Sequence, residues 1–67
     1  MPLITFESGQ LKPETKEKLI EQLTDVSAQI TGIPKDLFFI SIHELPDTDI
    51  AVGGKSVKKL KEQLANK

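Results

Sequence analysis

The sequence predicts a small α/β (α+β) protein organised as one βαβ unit. Three features carry that prediction: an apolar, strand-like run at the start, a helix-period segment behind a proline, and a second alternating run roughly thirty residues later. Two strands joined by a crossover of that length are expected to be parallel, with a right-handed connection.

The first strand is expected over about residues 2–7, where Leu3-Ile4-Thr5-Phe6 runs to a stop at Ser8-Gly9. A helix is expected over 13–31. Pro13 suits its first turn, where a missing N–H costs nothing, and Glu14 and Glu17 lie where the helix dipole favours acids. Leu19, Ile20, Leu23, Val26 and Ile30 recur at helical spacing, so one stripe should be buried. Gly32 ends the helix and Pro34 keeps it from resuming. The second strand is expected over 37–45, with Phe38, Ile40, Ile42 and Glu44 on one face and Phe39, Ser41, His43 and Leu45 on the other. A loop and turn over 46–54 contain Gly53-Gly54, and Val57, Leu60 and Leu64 mark a short helix over 55–65.

The 67 residues make a single domain, 1–67, without internal repeats. A chain of this size buries only about 60% of the surface it exposes unfolded, and it has neither Cys nor a clustered metal-ligand set to brace it. Two strands do not make a stable sheet alone. Self-association is the remaining route, so a homo-oligomer is expected. The formal charge of −1 excludes the basic footprint of a nucleic-acid binder. With no apolar run long enough for a membrane span and no signal-like start, a cytoplasmic location is expected and no membrane partner. Charge is unevenly spread: four Lys face nine acids through Val52, and five Lys face Glu62 alone from Gly53 onward.

Several local patterns imitate sites without completing them. Gly54-Lys55-Ser56 resembles the end of a phosphate-binding loop, but Asp49 stands where its first glycine belongs. His43 and Glu44 point to opposite strand faces, and Asp47 and Asp49 lack the glycine and terminal Glu of a calcium loop, so no metal site is expected. Ser8, Ser41 and Ser56 have no base-plus-orienter spacing around them. Pro2 is different. Initiator Met is commonly removed before so small a residue, and removal would leave a secondary amine mounted at the end of a strand. An α-amino group titrates near pH 7.7–8.0, so a modest downward shift makes it a usable base at neutral pH.

Met1-Pro2 ahead of the first strand, Glu14-Thr15-Lys16-Glu17-Lys18-Leu19-Ile20, Ile42-His43-Glu44-Leu45-Pro46 and Ile50-Ala51-Val52-Gly53-Gly54-Lys55 together resemble the small tautomerases of the 4-oxalocrotonate tautomerase family, most nearly its DmpI subgroup. The resemblance spans nearly the whole chain. It implies a βαβ protomer that dimerises into a four-stranded sheet with helices on one face, and a hexamer made as a trimer of dimers. It also implies cofactor-free enol–keto isomerisation of a small 2-hydroxy-dienoate or related enol, with Pro2 as general base and then general acid. Members acting on dicarboxylates use two arginines, one in the loop before the helix and one on the second strand. This chain has no Arg: the strand position is Phe39, and the loop offers Gln10, Leu11 and Lys12. Lys12 and then Lys55 are the candidates to bind a substrate anion, and Phe39 and Ile50 the candidates for an apolar wall. Two other functions accompany this one: dehalogenation or decarboxylation from the same proline, and a non-enzymatic oligomeric or ligand-binding module that keeps only the fold.

Overall fold

The computed structural model describes residues 1–65. Strand β1 (Leu3–Ser8) leads through a short loop to helix α1 (Pro13–Thr31), a 3-10 turn (Lys35–Leu37) and strand β2 (Phe39–Glu44). A second 3-10 turn (Asp47–Asp49), a two-residue hairpin of β3 (Ala51–Val52) and β4 (Lys55–Ser56), and helix α2 (Val57–Ala65) complete the chain.

The two long strands are parallel, in the register Leu3↔Phe39 through Ser8↔Glu44. Side chains alternate across a sheet, so Ile4, Phe6, Ile40 and Ile42 share the face toward α1 and are half-buried. The opposite face carries Leu3, Thr5, Glu7, Phe39, Ser41 and His43, and most of it is open. Leu3 is 65% exposed there and Phe39 49%. On that face the Ser41 hydroxyl and His43 Nε2 form a hydrogen-bonded pair at 2.7 Å.

Helix α1 begins at Pro13 on an extended Lys12, whose carbonyl accepts from the N–H groups of Thr15 and Lys16 at 3.0 Å each. It ends at Gly32, which takes φ 77° and donates its N–H to the Ala28 carbonyl at 2.9 Å. A residue with a Cβ adopts that left-handed geometry only at a cost, hence glycine. The buried stripe is narrower than its spacing predicts. Leu19, Leu23 and Ser27 are half-buried, whereas Ile20, Val26 and Ile30 stay exposed, Ile30 by 79%. Strand β2 is also shorter than the expected 37–45. Pro34 sets the Lys35–Leu37 turn, closed by the Leu37 N–H to the Pro34 carbonyl at 3.1 Å, so the extended backbone starts only at Phe38. Helix α2 starts at Val57 rather than 55, because Lys55 and Ser56 pair with Val52 and Ala51 first.

Among the described residues none is buried. The Cα radius of gyration is 16.0 Å, against about 11 Å for a compact chain of this length. The hairpin and α2 form an arm that packs mainly on the Asp47–Asp49 turn.

Candidate active site

The strand pairing fixes the surroundings of Pro2. Its carbonyl accepts the Phe39 N–H at 2.9 Å, extending the β1–β2 ladder by one bond beyond Leu3. This clamps the Pro2 backbone to the Phe39 backbone at the N-terminal end of the sheet, with Pro2 half-buried. Met1 precedes it and is 92% exposed, so the Met1–Pro2 bond projects into solvent. While that bond is intact the Pro2 nitrogen is an amide whose lone pair is delocalised into the Met1 carbonyl, so it is no base.

The other candidates lie elsewhere. Lys12 sits at the N-terminal cap of α1, directly after Leu11, whose N–H donates to Glu44 Oε2 at 3.0 Å. Glu44 closes β2 opposite Ser8, so this contact belongs to the far end of the sheet. At about 3.3 Å per residue, the strand separates that end from Pro2 by roughly 20 Å. Ile50 and Lys55 are on the arm that departs from the same far end, Ile50 half-buried and Lys55 exposed. One chain therefore brings Pro2 and Phe39 together but keeps Lys12, Ile50 and Lys55 from joining them.

The far end holds most of the organised polar structure. Glu44 accepts from Leu11 and also forms an ion pair with Lys16 in the first turns of α1. The Lys16 bond first, then the Leu11 N–H, hold the Glu44 carboxyl below its ordinary range. Lys61 on α2 reaches Asp47 at 2.9 Å and ties the arm to the loop after β2. Between them opens a cavity of about 560 Å³, with Gly9 and Gln10 on one side and Pro46, Asp47, Thr48, Lys58 and Lys61 on the other. Lys12 and Lys55 make no ion pair among the described residues.

Two of these features were not read from the sequence. Glu44 was read as one member of an alternating strand, although an acid ending an otherwise apolar face (Ile40, Ile42) signals that something there binds it. Ser56 caps α2 by accepting the Lys59 N–H at 3.1 Å, a role that a serine before Val57 permits. Gly53 and Gly54, at φ 61° and 84°, form the hairpin turn between β3 and β4. No group of three His, Cys, Asp or Glu able to hold a metal occurs among the described residues. No described helix is long and apolar enough to cross a membrane.

Comparison with known proteins assigns this βαβ protomer to a family. The model of the tautomerase enzyme family matches residues 2–60, so the chain belongs to that family. It is similar to the structure of DmpI from Archaeoglobus fulgidus, at 33% identity and TM-score 0.79, over 85% of this chain and 98% of that one. It is also similar to TomN, described as a 4-oxalocrotonate tautomerase homologue in the tomaymycin biosynthetic pathway, at 27% identity and TM-score 0.88, over 91% and 95% of the two chains. DmpI from Helicobacter pylori shares the fold at 24% identity and TM-score 0.79, over 87% of this chain and 98% of that one. No curated protein matches.

Proposed function

We propose that the chain is a cofactor-independent tautomerase that moves a proton between oxygen and carbon of a small 2-hydroxy-dienoate or related enol. The observation that carries this reading is the clamped Pro2 at the head of β1, where the family match also begins. Once Met1 is removed, the Pro2 nitrogen is a secondary amine held beside an aromatic wall. Partial desolvation there disfavours its charged form, so the free base is available near neutral pH. It takes the enol proton and returns it to carbon, acting in turn as base and acid.

The substrate's carboxylate needs a cation; Lys35, in the turn before β2, is paired with Asp25, and Lys12 and Lys55 of the same chain belong to the far end of the sheet. A second copy supplies the cation in this proposal: Lys12 and Lys55, which make no ion pair among the described residues, with Ile50 closing the apolar wall begun by Phe39. The working form is a cytoplasmic homo-oligomer, a hexamer of paired protomers, with sites at the contacts between copies. Lys is a point charge without the fork of Arg, which favours one carboxylate over two. The absence of Arg favours a second reading, a binding module that keeps the assembly without the chemistry. Dehalogenation or decarboxylation needs a held water or a cationic clamp; turnover of 3-haloacrylates or malonate semialdehyde would favour it.

The test is Pro2→Ala in protein shown by intact mass to have lost Met1. Enol ketonisation should fall at least about 100-fold, the lower end of what a positioned acid–base group contributes, with the assembly unchanged by sedimentation. Equal rates would favour the binding module.

A further inference from the structure

We infer that Glu44 is a positioning residue for substrate binding, a role that rests on the proton-transfer reading above. Its carboxylate fixes the Gly9–Lys12 loop and thereby places Lys12 where a substrate carboxylate is held.

The loop leaves β1 at Ser8 and enters α1 at Pro13, so four residues must turn the chain from strand to helix. Among the described residues, the bond from the Leu11 N–H to Glu44 Oε2 is the one side-chain hydrogen bond joining this loop to the sheet. Glu44 is itself held from two sides. Its backbone ends the β2 ladder opposite Ser8, where the Leu45 N–H reaches the Ser8 carbonyl at 2.8 Å, and its second oxygen pairs with Lys16. The carboxylate thus links the end of the sheet, the loop and the helix at one point. A hydrogen bond from a backbone N–H to an ionised carboxylate is among the stronger kinds, and Lys16 keeps Glu44 ionised. The charge of Lys16 is spent on Glu44, whereas Lys12, immediately after the anchored Leu11, makes no ion pair among the described residues.

The same anchor fixes Gly9 and Gln10 as one wall of the far-end cavity, while Pro46, two residues beyond Glu44, belongs to the other wall. Glu44 acts on binding rather than on proton transfer, because its two carboxylate oxygens are already engaged by the Leu11 N–H and by Lys16, so that its effect on substrate passes through the loop.

The experiment compares Glu44→Ala, Glu44→Gln and Lys16→Met in the assembled protein, each checked by sedimentation. Glu44→Ala should raise KM for the 2-hydroxy-dienoate about tenfold with kcat within about twofold of the parent, the pattern of lost binding rather than lost chemistry. Glu44→Gln, which still accepts from Leu11, should recover most of the loss. Lys16→Met, which leaves the sheet and loop contacts in place, should fall between the two. The Leu11 amide resonance should shift markedly in Glu44→Ala and little in Glu44→Gln. A fall in kcat at constant KM, or a Glu44→Ala variant kinetically identical to the parent, would overturn the proposal. If the parent turns over no enol, the tautomerase reading fails and the affinity for crotonate, read from Lys12 resonances, decides the role of Glu44. Weakening of about tenfold in Glu44→Ala supports it, and unchanged affinity overturns it.

Discussion

At the scale of single residues, the proposed chemistry is divided between two ends of one sheet. Pro2 supplies a nitrogen whose usefulness depends on one covalent event, the loss of Met1. A preparation that retains Met1 should be inactive toward enols, and a brief aminopeptidase treatment should raise activity in step with the fraction of processed mass. Glu44 supplies order at the other end, and its contacts carry a defined pH dependence. Its carboxyl titrates below the ordinary glutamate value, first because of Lys16 and then because of the Leu11 N–H. A group with a depressed folded pKa stabilises fully above its unfolded value, near pH 4.3, and loses that contribution as pH falls through the lower folded value. The Leu11 amide should therefore hold one chemical shift at neutral pH and titrate with a midpoint below about 4.3. In Lys16→Met that midpoint should move upward, and an unmoved midpoint would remove Lys16 as the main cause. Lys35 behaves oppositely: its bond to Asp25 at 2.6 Å raises its pKa, so the contribution of its charge is lost as pH rises through the raised lysine value.

At the scale of elements, the outline was legible because local chemistry and tertiary context agree. Pro13 and Gly32 bound α1 as a start proline and a left-handed end glycine should, and the strands fall on the two apolar runs. Gly32→Ala should cost about 1–2 kcal/mol in the unfolding free energy. The open space around that Cβ leaves backbone strain as its sole source. What was misread depends on side chains working across elements. The hydrophobic runs place the start of β2 at Leu37, but Pro34 commits Lys35–Leu37 to a turn that alternation does not register. Lys55-Ser56 looks helical beside Val57, yet the Gly53-Gly54 turn first folds it back onto Ala51-Val52. Gly54→Val would force a β-branched residue to φ 84° and should open that hairpin, detected as loss of the bond from the Val57 N–H to the Ile50 carbonyl. Of the candidate site, Pro2 was legible as a residue at the head of a strand, whereas the bond from the Phe39 N–H to its carbonyl depends on the strand register, which the sequence pattern leaves open. The distance of Lys12, Ile50 and Lys55 from Pro2 is implicit in the parallel βαβ topology, because the segments after β1 and β2 both leave from the end of the sheet opposite Pro2.

At the scale of the whole molecule, the protomer is too open to account for its own stability. Its accessible surface is 5385 Å², against about 4,200 Å² for a compact monomer of its mass. The excess exceeds the roughly 800 Å² that one partner buries in an ordinary specific interface. Apolar side chains left uncovered include Ile20, Val26 and Ile30 on α1, Leu3 and Phe39 on the sheet, Leu37 in the turn before β2, and Val52 and Leu64 on the arm. Copies of the same chain are the proposed cover, and the same contacts would complete the site that one chain leaves divided. The thermal midpoint should then rise with protein concentration, as mass action requires when folding and assembly are one event. A concentration-independent midpoint would mean the protomer folds alone.

The most direct test is the rate of 2-hydroxy-dienoate ketonisation by protein of verified mass lacking Met1, set beside its Pro2→Ala variant in the same oligomeric state. If Pro2 is the proton carrier, the parent accelerates ketonisation and the variant loses at least about 100-fold. A variant as fast as the parent would show that the clamped proline has no part in the chemistry.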